Sequence, residues 1–159
     1  IRLRLLGRVT MTDKDTHGGI WSDPVIVSAI LNQPITLFLA RLLLVGAYLI
    51  GGFTNLMDWP TAVAEQAHFG IPLPAIAAAL TIFIELAGST MVLTNRLAWL
   101  GAAMLGTFTV LAAFIANPFW MLHGQEQFAA SNAFFEHIGL AGAFLLAAIL
   151  AARLDHAAT

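Results

Sequence analysis

Two ionisable side chains stand inside otherwise hydrocarbon-like sequence: Arg41 in Ala40-Arg41-Leu42-Leu43-Leu44 and Glu85 in Ile82-Phe83-Ile84-Glu85-Leu86. A charge within a bilayer is costly, and such residues are kept for pairing, proton relay or ligand binding. Arg41 falls about five residues into its apolar run, roughly 7 Å deep, and Glu85 about eight residues from the same side, roughly 12 Å deep, at ~1.5 Å per residue. An arginine side chain spans that difference. The two are therefore expected to pair inside a bundle, since each alone is expensive in lipid. Such a pair fixes helix register, or Arg41 snorkels to the headgroups; in the functional alternative Glu85 transfers protons or binds a polar ligand.

A second polar group gathers in the segments between apolar runs: Asn55, Asp58, His68, His123, Glu126, Asn132, Glu136 and His137. Histidines and carboxylates together relay protons to a lipophilic electron carrier, or are simply solvated loop residues. Their spacing fits no metal motif, because the adjacent Glu136 and His137 diverge on a helix, so no metal is expected. Zero cysteines remove disulfides, thiol redox chemistry and iron–sulfur ligation. No nucleophile elbow, phosphate loop or dinucleotide fingerprint occurs. A self-contained enzyme and an intrinsic cofactor are not expected; a bound quinone or lipid is the compatible small molecule.

The elements that position these residues follow from composition. Of 159 residues 59% are hydrophobic and 10% charged, where a soluble domain carries about 25% charged residues. Too little charge is left to cover a soluble globule. Four stretches have the length and apolarity of membrane helices: about Thr36 to Leu56, Leu73 to Leu93, Leu97 to Ile115, and His137 to Ala152. The fold class is all-α, an integral membrane four-helix bundle with short interfacial helices in the outer loops and N-terminal tail. Its organisation is a cytoplasmic tail over 1–35, the bundle over 36–152 and a cytoplasmic C-terminal tail over 153–159. No apolar run near the start suggests a signal peptide, and Met11 is a candidate initiator.

Arg2, Arg4, Arg8, Lys14, Arg41, Arg96 and Arg153 all fall on one side of this arrangement, which the positive-inside rule places in the cytoplasm with both termini. With a net charge of −2 and no basic stripe, nucleic acid is excluded as a partner. Thr94-Asn95-Arg96 makes a tight turn between spans two and three. Trp59-Pro60 through His68 predicts an interfacial helix ending near Gly70, and Gln125 to Phe135 predicts another. Ser22 or Asp23 is the expected cap of a short helix over Val25–Leu31, with Pro24 at its first position. Trp21, Trp59, Trp99 and Trp120 are interfacial anchors. Small residues such as Gly88, Gly101, Gly106 and Gly142 predict close helix packing, while Gly51-Gly52 admits a ligand or a kink.

The order of these features resembles the DoxX family of small bacterial four-helix membrane proteins. The resemblance rests on Ala40-Arg41-Leu42-Leu43-Leu44 with Gly51-Gly52, on Phe69-Gly70-Ile71-Pro72-Leu73-Pro74, on Glu85-Leu86-Ala87-Gly88, and on Asn117-Pro118-Phe119-Trp120. It covers roughly residues 36 to 152. It implies a bacterial inner-membrane bundle associated with redox complexes, some of whose members are linked to quinone reduction. Asn55, Asn117 and Glu136-His137 depart from the family's usual lysine, histidine and Lys-Asn, and the loss of positive charge weighs against an anionic substrate such as thiosulfate. The leading expectation is an auxiliary, non-catalytic membrane subunit of a larger redox or energy-converting complex, with the bilayer and other membrane subunits as partners. A quinone-interacting oxidoreductase subunit is the alternative, and a small-molecule or lipid transporter is weaker because no inverted repeat is visible.

Overall fold

The computed structural model describes residues 24–157; the polar tail before them, with Trp21 and the Ser22 or Asp23 cap, lies outside the described residues. The helices are α1 (Val25–Leu31), α2 (Pro34–Met57), α3 (Trp59–His68), α4 (Pro74–Thr94), α5 (Ala98–Ala116) and α6 (Gly124–Ala157), with one 3₁₀ turn at Phe119–Met121. Among the described residues there is no strand. α2, α4, α5 and α6 are long and apolar enough to cross a bilayer.

Local chemistry sets the helix ends. Pro34, Pro60 and Pro74 each open a helix, where the missing N–H is one that no helical bond would use. Asp58 caps α3 by accepting from the Thr61 N–H at 3.2 Å. Pro24 is itself the N-cap of α1 rather than its first helical residue: its ψ of 136° is extended, and its carbonyl accepts from Val27 and Ser28. Asn95 closes α4 in the left-handed region, which asparagine tolerates.

Leu97 opens α5 at a φ of 54°, a conformation that costs a side chain with a Cβ about 1–2 kcal/mol. It is exposed, so little packing compensates. Leu97→Gly is expected to stabilise the protein by about 1 kcal/mol, read as a higher thermal unfolding midpoint in detergent.

The spanning helices pack in sequence, α2 on α4, α4 on α5 and α5 on α6. The ring closes through side chains: Tyr48 of α2 meets Phe144 of α6 edge-on, with centroids 5.4 Å apart. Around that contact Val45, Val92, Ala102 and Leu105 complete a buried core. Approach is closest between α4 and α5, where a Cβ on Gly101 would stand 2.6 Å from the Gly88 carbonyl oxygen.

Three spans fall within two residues of their expected limits. The fourth differs. Gln125 to Phe135 is not a separate surface helix but the first third of α6, which runs unbroken for 34 residues. Gly124, at a φ of 63°, is where the chain turns into it, and no proline or glycine interrupts the stretch before Gly139. Arg41, Asn95 and Arg153 mark one end of the bundle, here the arginine end; α3, the 3₁₀ turn and the start of α6 form the opposite, histidine end.

Candidate functional site

α2 and α4 run antiparallel, and the site lies where they meet at mid-depth. Glu85 is 9% exposed and Ser89, one turn along α4, is 0% exposed. Glu85 Oε2 and Ser89 Oγ are both buried without a hydrogen-bond partner. Leaving a buried polar group unpaired costs about 1–3 kcal/mol, and more for a charge. A fold keeps such groups where they are used.

Glycine makes the space for the carboxyl. A Cβ at Gly51 would stand 3.4 Å from Glu85 Oε1, and one at Gly52 only 2.9 Å from the Leu86 side chain and 3.1 Å from Glu85 Cβ. The Gly51-Gly52 pair therefore lets the α2 backbone close over Glu85. One turn earlier on α2, the Tyr48 hydroxyl is hydrogen-bonded to Thr109 Oγ1 of α5. Thr109 spends its own hydrogen on the Leu105 carbonyl at 2.6 Å, so Tyr48 is the donor. Tyr48 lies within electrostatic range of Glu85, as does Glu65 on the exposed side of α3. Tyr48, Ser89 and Thr109 are functional candidates that the sequence reading passed over. The signal was there in the four-residue spacing of Glu85 and Ser89, which sets both on one helix face.

Arg41 is not part of this site. Its guanidinium donates to Asn95 Oδ1, the cap of α4, while Glu85 Oε2 has no partner. The expected pair fails on register: Gly51, not Arg41, lies opposite Glu85, and Arg41 is ten residues before Gly51, about 15 Å along the helix at ~1.5 Å per residue. Counting depth from each span's end missed that α2 starts farther toward the arginine end, at Pro34.

The histidine-end residues do not converge. Among the described residues no three of His, Asp and Glu approach closely enough to hold a metal ion. Asp58 is a helix cap, Glu126 lies in the first turn of α6, and His68 rests edge-on against Phe69 at 5.4 Å. Half-buried His137 turns Nδ1 back to the Ala133 carbonyl at 2.6 Å, while Glu136 is exposed. His123 and Asn132 are exposed, and Asn55 is half-buried. Trp59, Trp99 and Trp120 are exposed at the helix ends. Trp120 joins Phe114, Phe119, Phe134 and Phe135 in a ring cluster that holds the 3₁₀ turn against α5 and α6. A lipid-facing groove of about 460 Å³ between α5 and α6, bordered by Ala103, Gly106 and Gly142, does not touch Glu85.

The sequence profile described as DoxX matches residues 36–118. The chain is also 27% identical over 117 residues to inner membrane protein YphA of Escherichia coli strain K12, covering 74% of this chain and 84% of that protein. No solved structure matches.

Proposed function

This chain belongs to the DoxX family, and on that footing we propose that it is an auxiliary membrane subunit of a larger redox or energy-converting complex, contributing a protonatable site inside the bilayer. One observation carries the reading: the buried, unpartnered carboxyl of Glu85 with the unpartnered Ser89 hydroxyl beside it. An unpaired buried carboxylate is costly and proton uptake removes that cost, so proton binding at such a group responds strongly to its surroundings. Glu65, exposed on α3 at the histidine end, acts on Glu85 electrostatically. With zero cysteines this chain has no iron–sulfur ligands, and in this reading the electrons are carried by a partner or a lipophilic carrier. The cationic arginine end faces the cytoplasm in this reading, as in the positive-inside rule, and the membrane is the inner one in which the relative from Escherichia coli is named.

Purification of the tagged protein from native membranes in mild detergent, followed by mass spectrometry, tests the assignment. Near-stoichiometric recovery of redox-complex subunits is expected. A protein that leaves the membrane alone in every detergent overturns it. A second reading, a quinone-interacting subunit, draws on the same pair: a carboxyl and a hydroxyl, both unpaired, match the polar edge of a quinone. Quinone that travels with the wild type and is lost from Glu85→Gln would favour this reading.

A further inference from the structure

The register that separates Arg41 from Glu85 leaves the arginine facing a different space. α2 and α6 are bridged by large side chains at mid-depth, and towards the arginine end they part, leaving a crevice of about 120 Å³. Its walls are Leu44, Val92, Ala147, Leu150 and Ala151, and among the described residues Arg41 is its one charged lining residue. This volume equals roughly four water molecules at ~30 Å³ each, and a helix ~10 Å across does not fit. It suits a short stretch of one hydrocarbon chain, about four methylenes, with the rest of the chain lying in the surrounding lipid.

The polar side of the crevice is cationic. Arg41 spends a guanidinium N–H on Asn95, and an arginine has five such donors. It is half-buried, so its remaining donors are within reach of an approaching headgroup. Arg96 adjoins Asn95 and Arg153 lies two residues beyond Ala151; both are exposed at the same end. Among the described residues no carboxylate lines the crevice. A ligand matched to this place carries negative charge at headgroup depth and an apolar chain beneath it.

We propose that the α2–α6 crevice binds one anionic phospholipid, with its phosphate on Arg41 and one acyl chain between Leu44 and Leu150. Clustered arginines between spanning helices select acidic lipids in this way. The site is separate from Glu85, so its failure and that of the proposed function are read independently.

The test uses the delipidated full chain in non-ionic detergent, with phosphatidylglycerol and phosphatidylcholine of identical chains as probes and native mass spectrometry as readout. Phosphatidylglycerol is expected to be retained with about tenfold preference. Arg41→Gln is expected to erase the preference and Arg41→Lys, which keeps the charge, to retain most of it. Ala40→Phe, at an exposed lining position, is expected to expel the chain with Arg41 intact. Unchanged preference in Arg41→Gln, or unchanged retention in Ala40→Phe, overturns the proposal. Displacement of phosphatidylglycerol by an equal concentration of glycerol 3-phosphate does so too, since the site would then hold a soluble phosphate.

Discussion

Exchange of Glu85 for methionine is expected to yield a more stable protein that no longer works. The wild type buries Oε2 with no partner, at a cost of about 1–3 kcal/mol. Methionine has similar volume and an adaptable chain, so it fills the space against Gly51 without a polar atom to satisfy. Stability in detergent should rise by about 1–3 kcal/mol, while the activity of the parent complex falls to the level seen when the subunit is deleted. Glu85→Gln separates the two effects. It keeps the shape and an unmet polar group, so its unfolding midpoint stays near the wild type while its activity is lost with the proton site. A lower midpoint for Glu85→Met would mean that the carboxyl is satisfied in the membrane. Full activity in Glu85→Gln would reduce Glu85 to a passive core residue.

The second large effect is a single methyl group at Gly101. Its Cβ would stand 2.6 Å from the Gly88 carbonyl oxygen and 2.7 Å from Met91 Cβ, neither of which is the movable end of a side chain. Gly101→Ala must therefore push α4 and α5 apart, at about 3 kcal/mol or more, the upper range of overpacking costs. Gly88→Ala should also destabilise but less, since its closest contacts are the buried Leu105 side chain at 2.9 Å and, more distantly, the Gly101 carbonyl oxygen at 3.3 Å. Gly46→Ala meets nothing within 4 Å and should be neutral or favourable by up to ~1 kcal/mol through helix propensity. Thermal unfolding of the three variants in one detergent gives the order, and a Gly101→Ala midpoint equal to that of Gly46→Ala would contradict the α4–α5 contact.

These contrasts show where sequence reasoning reached and where it stopped. Hydropathy placed three spans closely because each is bounded by proline, asparagine or a polar turn. It shortened the fourth because Gln125, Glu126, Gln127, Ser131 and Asn132 lower the local mean without breaking a helix. Glu85 was legible as a site since charge in an apolar run is rare. Its surroundings were not: Ser89 and Thr109 are ordinary residues in membrane helices, and only packing shows that one is satisfied and the other is not. Arg41 misled for a geometric reason. Depth is a single coordinate, whereas contact also needs register and the rotation of about 100° that each residue adds.

The unbroken run of α6 sets a mechanical constraint on the whole molecule. Its 34 residues form a rod about 51 Å long at ~1.5 Å per residue. Upright, that exceeds the full bilayer of about 40–45 Å, headgroups included. Tilted at ~40°, near the limit for spanning helices, it still keeps only about 26 residues in a ~30 Å hydrocarbon layer. At least one end of the rod must therefore leave the hydrocarbon layer. α6 thus acts as a built-in ruler, and its polar opening turns are held at a height fixed by the helix itself.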